Sequence, residues 1–415
     1  MDSPNTGEGG FADGPLVGIR VVDISRMISG PYLTRVLADM GADVIKIEPP
    51  EGDTSRLIAP KHDRGMSAKF TFANVGKRSI SIDLRAPGAA QLVLELVAVS
   101  DAVVENFRPG VMDRLGLGWD AIARANPRAI AVSLTGYGAD SKWCDRRAYA
   151  PTIHAVTGIL HDQSEYAGQP VAQLNDAHAD TVTGLHGAVS LMAALRVADA
   201  TGLGQRIEVP MFDSVLTTHT EAPTALLDPP DDLVMNPIYS AGPHGAVATA
   251  GAAQLIWGAV ARTHLDLTDP TPVGASLATK ARLRHTALAD WMAAQPTREV
   301  LFDKLAEAGI ACAPVVALKD ALTGELSRER NLLVEVDDRR GSTRPVVRPP
   351  ARFSVSANRI RGPAPARGEH NAAILSGVLG YDRLKIRALS DAGVVVDPDS
   401  SEERGRQRNR GGSRV

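Results

Sequence analysis

The sequence predicts an α/β fold: an open, mostly parallel sheet flanked by helices, with a second, smaller domain later in the chain. Three observations carry that expectation. Short β-branched runs alternate with helical stretches over the first half of the chain. Gly and Pro mark the junctions between them. Near Ala222–Pro237 the composition shifts to Pro, Asp and Leu, which reads as a linker.

The first element is the strand Ile19–Ile24 (IRVVDI). Ser25–Gly30 turns the chain, Pro31 suits a first helical position, and Tyr32–Met40 is a short helix that Gly41 closes. Asp43–Ile47 is the next strand, so the unit is β-α-β with a right-handed crossover. Its turn holds no G-x-G-x-x-G, so no dinucleotide fingerprint is present. A strand at Lys77-Arg78-Ser79, a helix at Pro87–Val99, a strand at Ala102–Glu105, a helix at Trp119–Ala125 and a buried strand at Ala129–Leu134 continue the pattern. A loop opened by Gly136-Tyr137-Gly138 runs to about Tyr149. Beyond the linker, Leu283–Met292 and Arg298–Ala308 are helical by period, and Pro345–Pro350 reads as a second linker.

The stretch Asn175–Ser214 has the most chemistry to offer. A helical run follows Asp180, with Val182, Leu185, Val189 and Met192 as its apolar stripe, widened by Ala193 and Leu195. Thr201-Gly202-Leu203-Gly204-Gln205 ends it, and Arg206–Val209 is a strand. Asp180 therefore stands at a helix N-terminus. There it serves as an N-cap, or as an ionised nucleophile whose pKa the helix field lowers. Spacing alone leaves both open. Asp176 is the alternative carboxylate. His178 and His186 flank Asp180, and acid–base and packing roles are both open to them.

Composition narrows the function classes. At 415 residues, two or three domains are expected. Hydrophobic residues at 44% and charged residues at 22% suit a globular protein, and with 4% aromatics the core must use Ala, Val, Leu and Ile. A net charge of −3 gives no bulk attraction to nucleic acid or membrane. Cys144 and Cys312 have no disulfide-framework or metal-ligand spacing, so reduced thiols and no metal site are expected. No run looks long enough to span a bilayer and the N-terminus has no signal core, which together read as cytoplasmic. Residues 1–14 and the Arg-rich tail 399–415 are expected to be disordered.

The run Ala179-Asp180, Thr183-Gly184, Ala193-Ala194-Leu195-Arg196 and Thr201-Gly202-x-Gly204-Gln205 resembles the central motif of the family III CoA-transferases. That family includes formyl-CoA transferase, carnitine CoA-transferase and α-methylacyl-CoA racemase. The segments VVDIS…GP…LADMGADVIKIEPPEGD, Gly76-Lys77-Arg78-Ser79, VENFRPG with Asp113-Arg114-Leu115-Gly116, Gly309–Val315, and Gly368-Glu369-His370 match it in order.

The resemblance implies a Rossmann-like large domain over 15–221, a linker at 222–235, a small α+β domain at 236–335, a linker and return to the large domain at 336–398, and ring-shaped chains interlocked as a homodimer. It implies transfer of CoA from an acyl-CoA to a carboxylic acid through a covalent intermediate on Asp180, with CoA thioesters as substrates and no resident cofactor. By motif, CoA contacts fall on Ile28, Ser29, Leu84, Arg85, Asn106, Phe107, Arg114, Arg147 and Tyr149, with Arg85, Arg114 and Arg147 meeting phosphates. The alternatives are a racemase, isomerase or dehydratase acting at the α-carbon, and a CoA-binding protein without catalysis. The sequence departs from the pattern at Ile28 and Ala150, where polar and acidic residues are common in transferases. It also has Tyr149 where the racemase branch has His, leaving His154 as a nearby substitute. No Gly-rich lid is evident; Gly242–Gly251 comes nearest.

Overall fold

The computed structural model describes residues 13–58, 66–227, 237–264, 267–338 and 341–397. The tail at 399–415, nearly all of the N-terminal stretch and most of the 222–235 linker lie outside the described residues. The chain divides into two compact units, one running to Ala222 and resuming at Leu332, the other Pro223–Asn331.

The first unit contains β1 (Arg20–Asp23), α1 (Ser29–Asp39), β2 (Asp43–Glu48), α2 (Ala68–Asn74), β3 (Arg78–Ser81), α3 (Ala89–Ala98), β4 (Ala102–Glu105), α4 (Val111–Arg114), α5 (Trp119–Ala125), β5 (Ile130–Thr135), α6 (Ala150–Val156), α7 (Ile159–Ala167), α8 (His178–Thr201), β6 (Arg206–Pro210) and α9 (Met211–Thr218). The six strands form one parallel sheet in the order β3-β2-β1-β4-β5-β6. Alternate strand residues feed two cores. Val21, Val44, Val104 and Val132 pack with Leu33, Leu37 and Leu191 on one face. Val22, Ile45 and Val103 pack with Leu92, Leu96 and Ile122 on the other. The strand order reverses between β1 and β4, and the crevice at such a switch point is where open α/β sheets bind ligands.

Only part of the expected apolar stripe of α8 faces inward: Leu195 is in the core and Met192 packs against it. Leu185 and Val189 are 45% and 63% exposed, while Gly184, Gly187, Ala188, Leu191 and Ala194 are buried. The helix is apolar all round, so large residues do not mark its inner side; small ones do, because they let α1 approach. α8 is also long and apolar enough to cross a membrane, contrary to expectation, but here it packs into the sheet's core.

The unit resumes with two strands, Leu333–Asp337 and Thr343–Val347, paired as an antiparallel ribbon. The Pro-rich stretch expected as a linker thus contributes a strand, with Pro345 opposite Glu335; a proline is tolerated in so short a two-stranded piece, which is all edge. Two helices at Asn371–Gly377 and Arg383–Asp391 then return to the core that holds Ile374, Leu375 and Val395.

The second unit has a three-stranded antiparallel sheet, Ile238–Ser240, Ala246–Thr249 and Cys312–Pro314, packed with helices around Tyr239, Trp257, Trp291 and Met292. The helix expected from Leu283 starts earlier, at Leu277, where the Ser276 side chain caps it. Gly242–Gly251 spans the turn and second strand of a hairpin.

Candidate active site

The turn between β1 and α1 is held in an unfavourable shape. Met27 has φ +66°, a left-handed conformation that costs a β-carbon-bearing residue roughly 1–3 kcal/mol. Neighbouring groups hold it there. Asn106, just after β4, accepts the Arg26 N–H at 2.8 Å and donates to the Arg26 carbonyl at 2.7 Å and to Ser29 Oγ at 3.1 Å. Asp53 accepts the Met27 N–H at 3.2 Å, and Lys46 Nζ donates to the Ser25 carbonyl at 2.9 Å. The turn thus delivers Ser29, the first residue of α1, to the switch point.

Asp180 lies opposite. It is the third residue of α8, which begins at His178, and so is not its N-cap. The backbone N–H groups of Ser29 and Ala150, each at the start of a helix, face its carboxylate and favour its ionised form. Three helix N-termini therefore face one carboxyl. Burial nonetheless wins. Desolvation pushes the Asp180 pKa up to about 6, against the two amides and the Lys69 ammonium that pull it down, and with Asp176 adding repulsion. The expected lowering by the helix field is reversed.

His154 supplies the missing cap. Ala177, at the N-cap position, has no side chain to offer. Fully buried His154 accepts the Ala179 N–H on Nε2 at 3.1 Å, which fixes the other proton on Nδ1. Burial, then the neighbouring His178, lowers its pKa, as a neutral acceptor requires. His154 is committed to the backbone beside Asp180 and is not a free base.

Asp180 forms part of the wall of a cavity of about 490 Å³, together with Ser29, Asn106, Phe107, Arg147 and Tyr149. Those six sequence candidates come together; the other four do not line the cavity. Ile28 is buried behind the turn. Leu84 is packed on the core beyond β3. Arg85 is exposed and pairs with Asp83 at 3.0 Å, and Arg114 is exposed at the end of α4. Asp176 is exposed and accepts its neighbour's N–H at 2.8 Å. At Ile28 and Ala150, where the sequence departs from the family pattern, the Ile28 side chain turns inward and Ala150 contributes its backbone amide.

The cavity also includes Arg26, Thr54, Arg108, Arg146 and Met211, which sequence reasoning did not single out. Arg26 stacks over the Phe107 ring at 5.3 Å and Arg146 over Trp143 at 4.1 Å. Neither these two arginines nor Arg108 and Arg147 pairs with a carboxylate among the described residues, so positive charge is available at the mouth. A general signal existed: all five residues follow the C-terminal ends of parallel strands. Gly136, after β5, has no room for a side chain, since a Cβ would lie 2.3 Å from that of Ala148.

The model of CoA-transferase family III matches residues 16–371. The succinyl-CoA–L-malate CoA-transferase beta subunit of Chloroflexus aurantiacus is 30% identical, covering 92% of this chain and 98% of its own. The formyl-CoA:oxalate CoA-transferase of Streptomyces avermitilis is also 30% identical, with coverage of 92% and 99%. A crystal structure of a CAIB/BAIF family protein from Brucella suis superimposes with a TM-score of 0.76 at 29% identity, covering 88% of this chain and all of that one. With a parallel sheet, a switch-point cavity and a half-buried carboxylate in place, and with matches of this span, the chain belongs to CoA-transferase family III.

Proposed function

We propose that this CoA-transferase passes CoA through a covalent intermediate on Asp180. The observation that supports the reading is a half-buried carboxylate on a cavity wall, faced by the Ser29 and Ala150 amides. The carboxylate attacks the donor thioester, the C–S bond breaks, and a mixed anhydride and CoA thiolate form. The thiolate attacks the aspartyl carbonyl and expels the donor acid, leaving an aspartyl-CoA thioester. An acceptor carboxylate attacks that thioester, releasing the thiolate and forming a second anhydride. The thiolate then takes the acceptor's acyl carbon and frees Asp180. The net reaction breaks one thioester and makes another, so no ATP is needed. The two amides that face the carboxylate stabilise the oxyanion at the aspartyl carbon in the two steps that attack it, by the thiolate and by the acceptor carboxylate.

Arg26, Arg108, Arg146 and Arg147 are the cations from which the phosphates of CoA draw partners. Arg85 and Arg114, which do not line the cavity, remain phosphate partners only by the family motif. The relatives' names make formyl-CoA and succinyl-CoA the first donors to test, with oxalate and malate as acceptors. Mixing donors with an acid panel and following new acyl-CoA by mass spectrometry tests the reading. Transfer that survives Asp180→Ala overturns it. Chemistry at the α-carbon gains no support, because His154 is engaged and Tyr149 stands where the racemase branch has His.

We also infer a homodimer of interlocked, ring-shaped chains. Leu185, Val189, Ala193 and Val197 form an exposed apolar row along α8, a surface suited to a second copy. The two free thiols fit a reducing compartment such as the cytoplasm. Sedimentation showing a folded monomer at micromolar concentration overturns the dimer.

A further inference from the structure

The family-like segment on β2 and its following loop contains Lys46, Glu48 and Asp53, none of which lines the cavity. All three are buried and charged. Lys46 and Asp53 form an ion pair at 2.9 Å, with both side chains essentially inaccessible. Glu48 is held by Arg56 at 2.7 Å and accepts the Asp53 N–H at 3.1 Å. Buried ion pairs are weak sources of stability, because desolvation cancels most of their attraction. This one grips functional backbone instead. Lys46 holds the Ser25 carbonyl, and Asp53 Oδ1 holds the Met27 N–H as well as the N–H and hydroxyl of Ser55. The two grips bracket the left-handed turn, and two residues after Met27 comes the amide that meets Asp180.

We propose that the Lys46–Asp53 pair is a positioning device for the nucleophile: it clamps the strained β1–α1 turn so that the Ser29 amide stays aimed at the Asp180 carboxylate. The inference rests on the reading of Asp180 as the nucleophile. Desolvation opposes ionisation of both partners. The Coulombic pull of Asp53, Asp23 and Glu48 keeps Lys46 raised, and that of Lys46 keeps Asp53 lowered, so both stay charged.

The test uses the full chain with Asp53→Ala, Asp53→Asn, and Asp53→Ala combined with Met27→Gly. Fold is checked by near-UV circular dichroism and CoA affinity by calorimetry. For Asp53→Ala the expected result is a kcat roughly tenfold lower, CoA affinity within about twofold, and an acid limb of kcat moved up by about one pH unit, since the Ser29 amide then does less to favour the ionised carboxylate. Glycine adopts positive φ freely, so Met27→Gly should restore most of that kcat. If Asp53→Ala does not fold, Asp53→Asn, which keeps the oxygen but not the charge, should lower kcat at least about threefold with the same upward limb. An unmoved acid limb, or CoA affinity falling in step with kcat, overturns the clamp. If Asp180→Ala is inactive while the Asp53 variants behave as wild type, the clamp alone falls. Transfer by Asp180→Ala removes the nucleophile reading itself.

Discussion

A Cβ on Gly184 would lie 2.8 Å from the carbonyl oxygen of Ser29. The missing side chain lets α8 and α1 touch backbone to backbone, one turn beyond Asp180. A Cβ there would also meet Tyr32 Cδ1 at 3.2 Å and the Leu33 nitrogen at 3.3 Å, and a backbone atom cannot swing aside. Gly184→Ala should therefore push the two helix N-termini apart. The expected cost is about 1–3 kcal/mol of stability from overpacking, with kcat falling at least tenfold, a loss of about 1.4 kcal/mol in the transition state. Chemical denaturation and steady-state kinetics on the same sample check both.

His154 and Ala179 make the other support for Asp180. His154→Ala should remove the cap acceptor and lower the unfolding free energy by about 1 kcal/mol or more, with kcat reduced while CoA affinity holds. Thermal melts and calorimetry separate the two effects.

The pH profile follows from burial. With its pKa raised to about 6, Asp180 is ionised and nucleophilic above that value and protonated below it. Transfer rates should fall about tenfold per unit on the acid side of pH 6 and level off above. An acid limb near pH 4, the ordinary carboxylate range, would show that desolvation does not dominate.

The same shift has a stability consequence. The unfolded carboxyl has the ordinary value of 3.8 and the folded one about 6, so the folded state binds more protons between them. Stability from this group is present below pH 3.8 and is lost as pH rises through 6. At pH 8 the charged carboxylate then destabilises the fold by about 3 kcal/mol at most. Asp180→Asn should abolish transfer yet raise the melting temperature at pH 8, with the gain vanishing near pH 4. Differential scanning at the two pH values checks the sign.

Arg147 is exposed at the cavity mouth, without a carboxylate partner among the described residues. Arg147→Ala should raise the KM for acyl-CoA about tenfold with little change in kcat, and the difference should shrink in high salt as the charge is screened.

Much of this was legible in the sequence. The alternation of β-branched runs with helices gave the parallel sheet, and the motif around Asp180 marked the helix whose first turn lines the cavity. What escaped depended on distant partners. Asp180 looked like a cap because no capping side chain stands before it; the true cap, His154, arrives from another helix. The inner face of α8 was misjudged because glycines and alanines, not large residues, mark where α1 comes close. The pKa of Asp180 went the opposite way because only the packed fold removes its water. Arg26, Thr54 and Met211 belong to no local pattern, and only the strand order brings them to one crevice.

The central claim is a covalent bond from Asp180 to the substrate. Enzyme mixed with formyl-CoA or succinyl-CoA, quenched with hydroxylamine and digested, should yield a hydroxamate on the peptide that carries Asp180, and none from Asp180→Ala. A transfer-competent enzyme whose Asp180 stays unmodified throughout would contradict it.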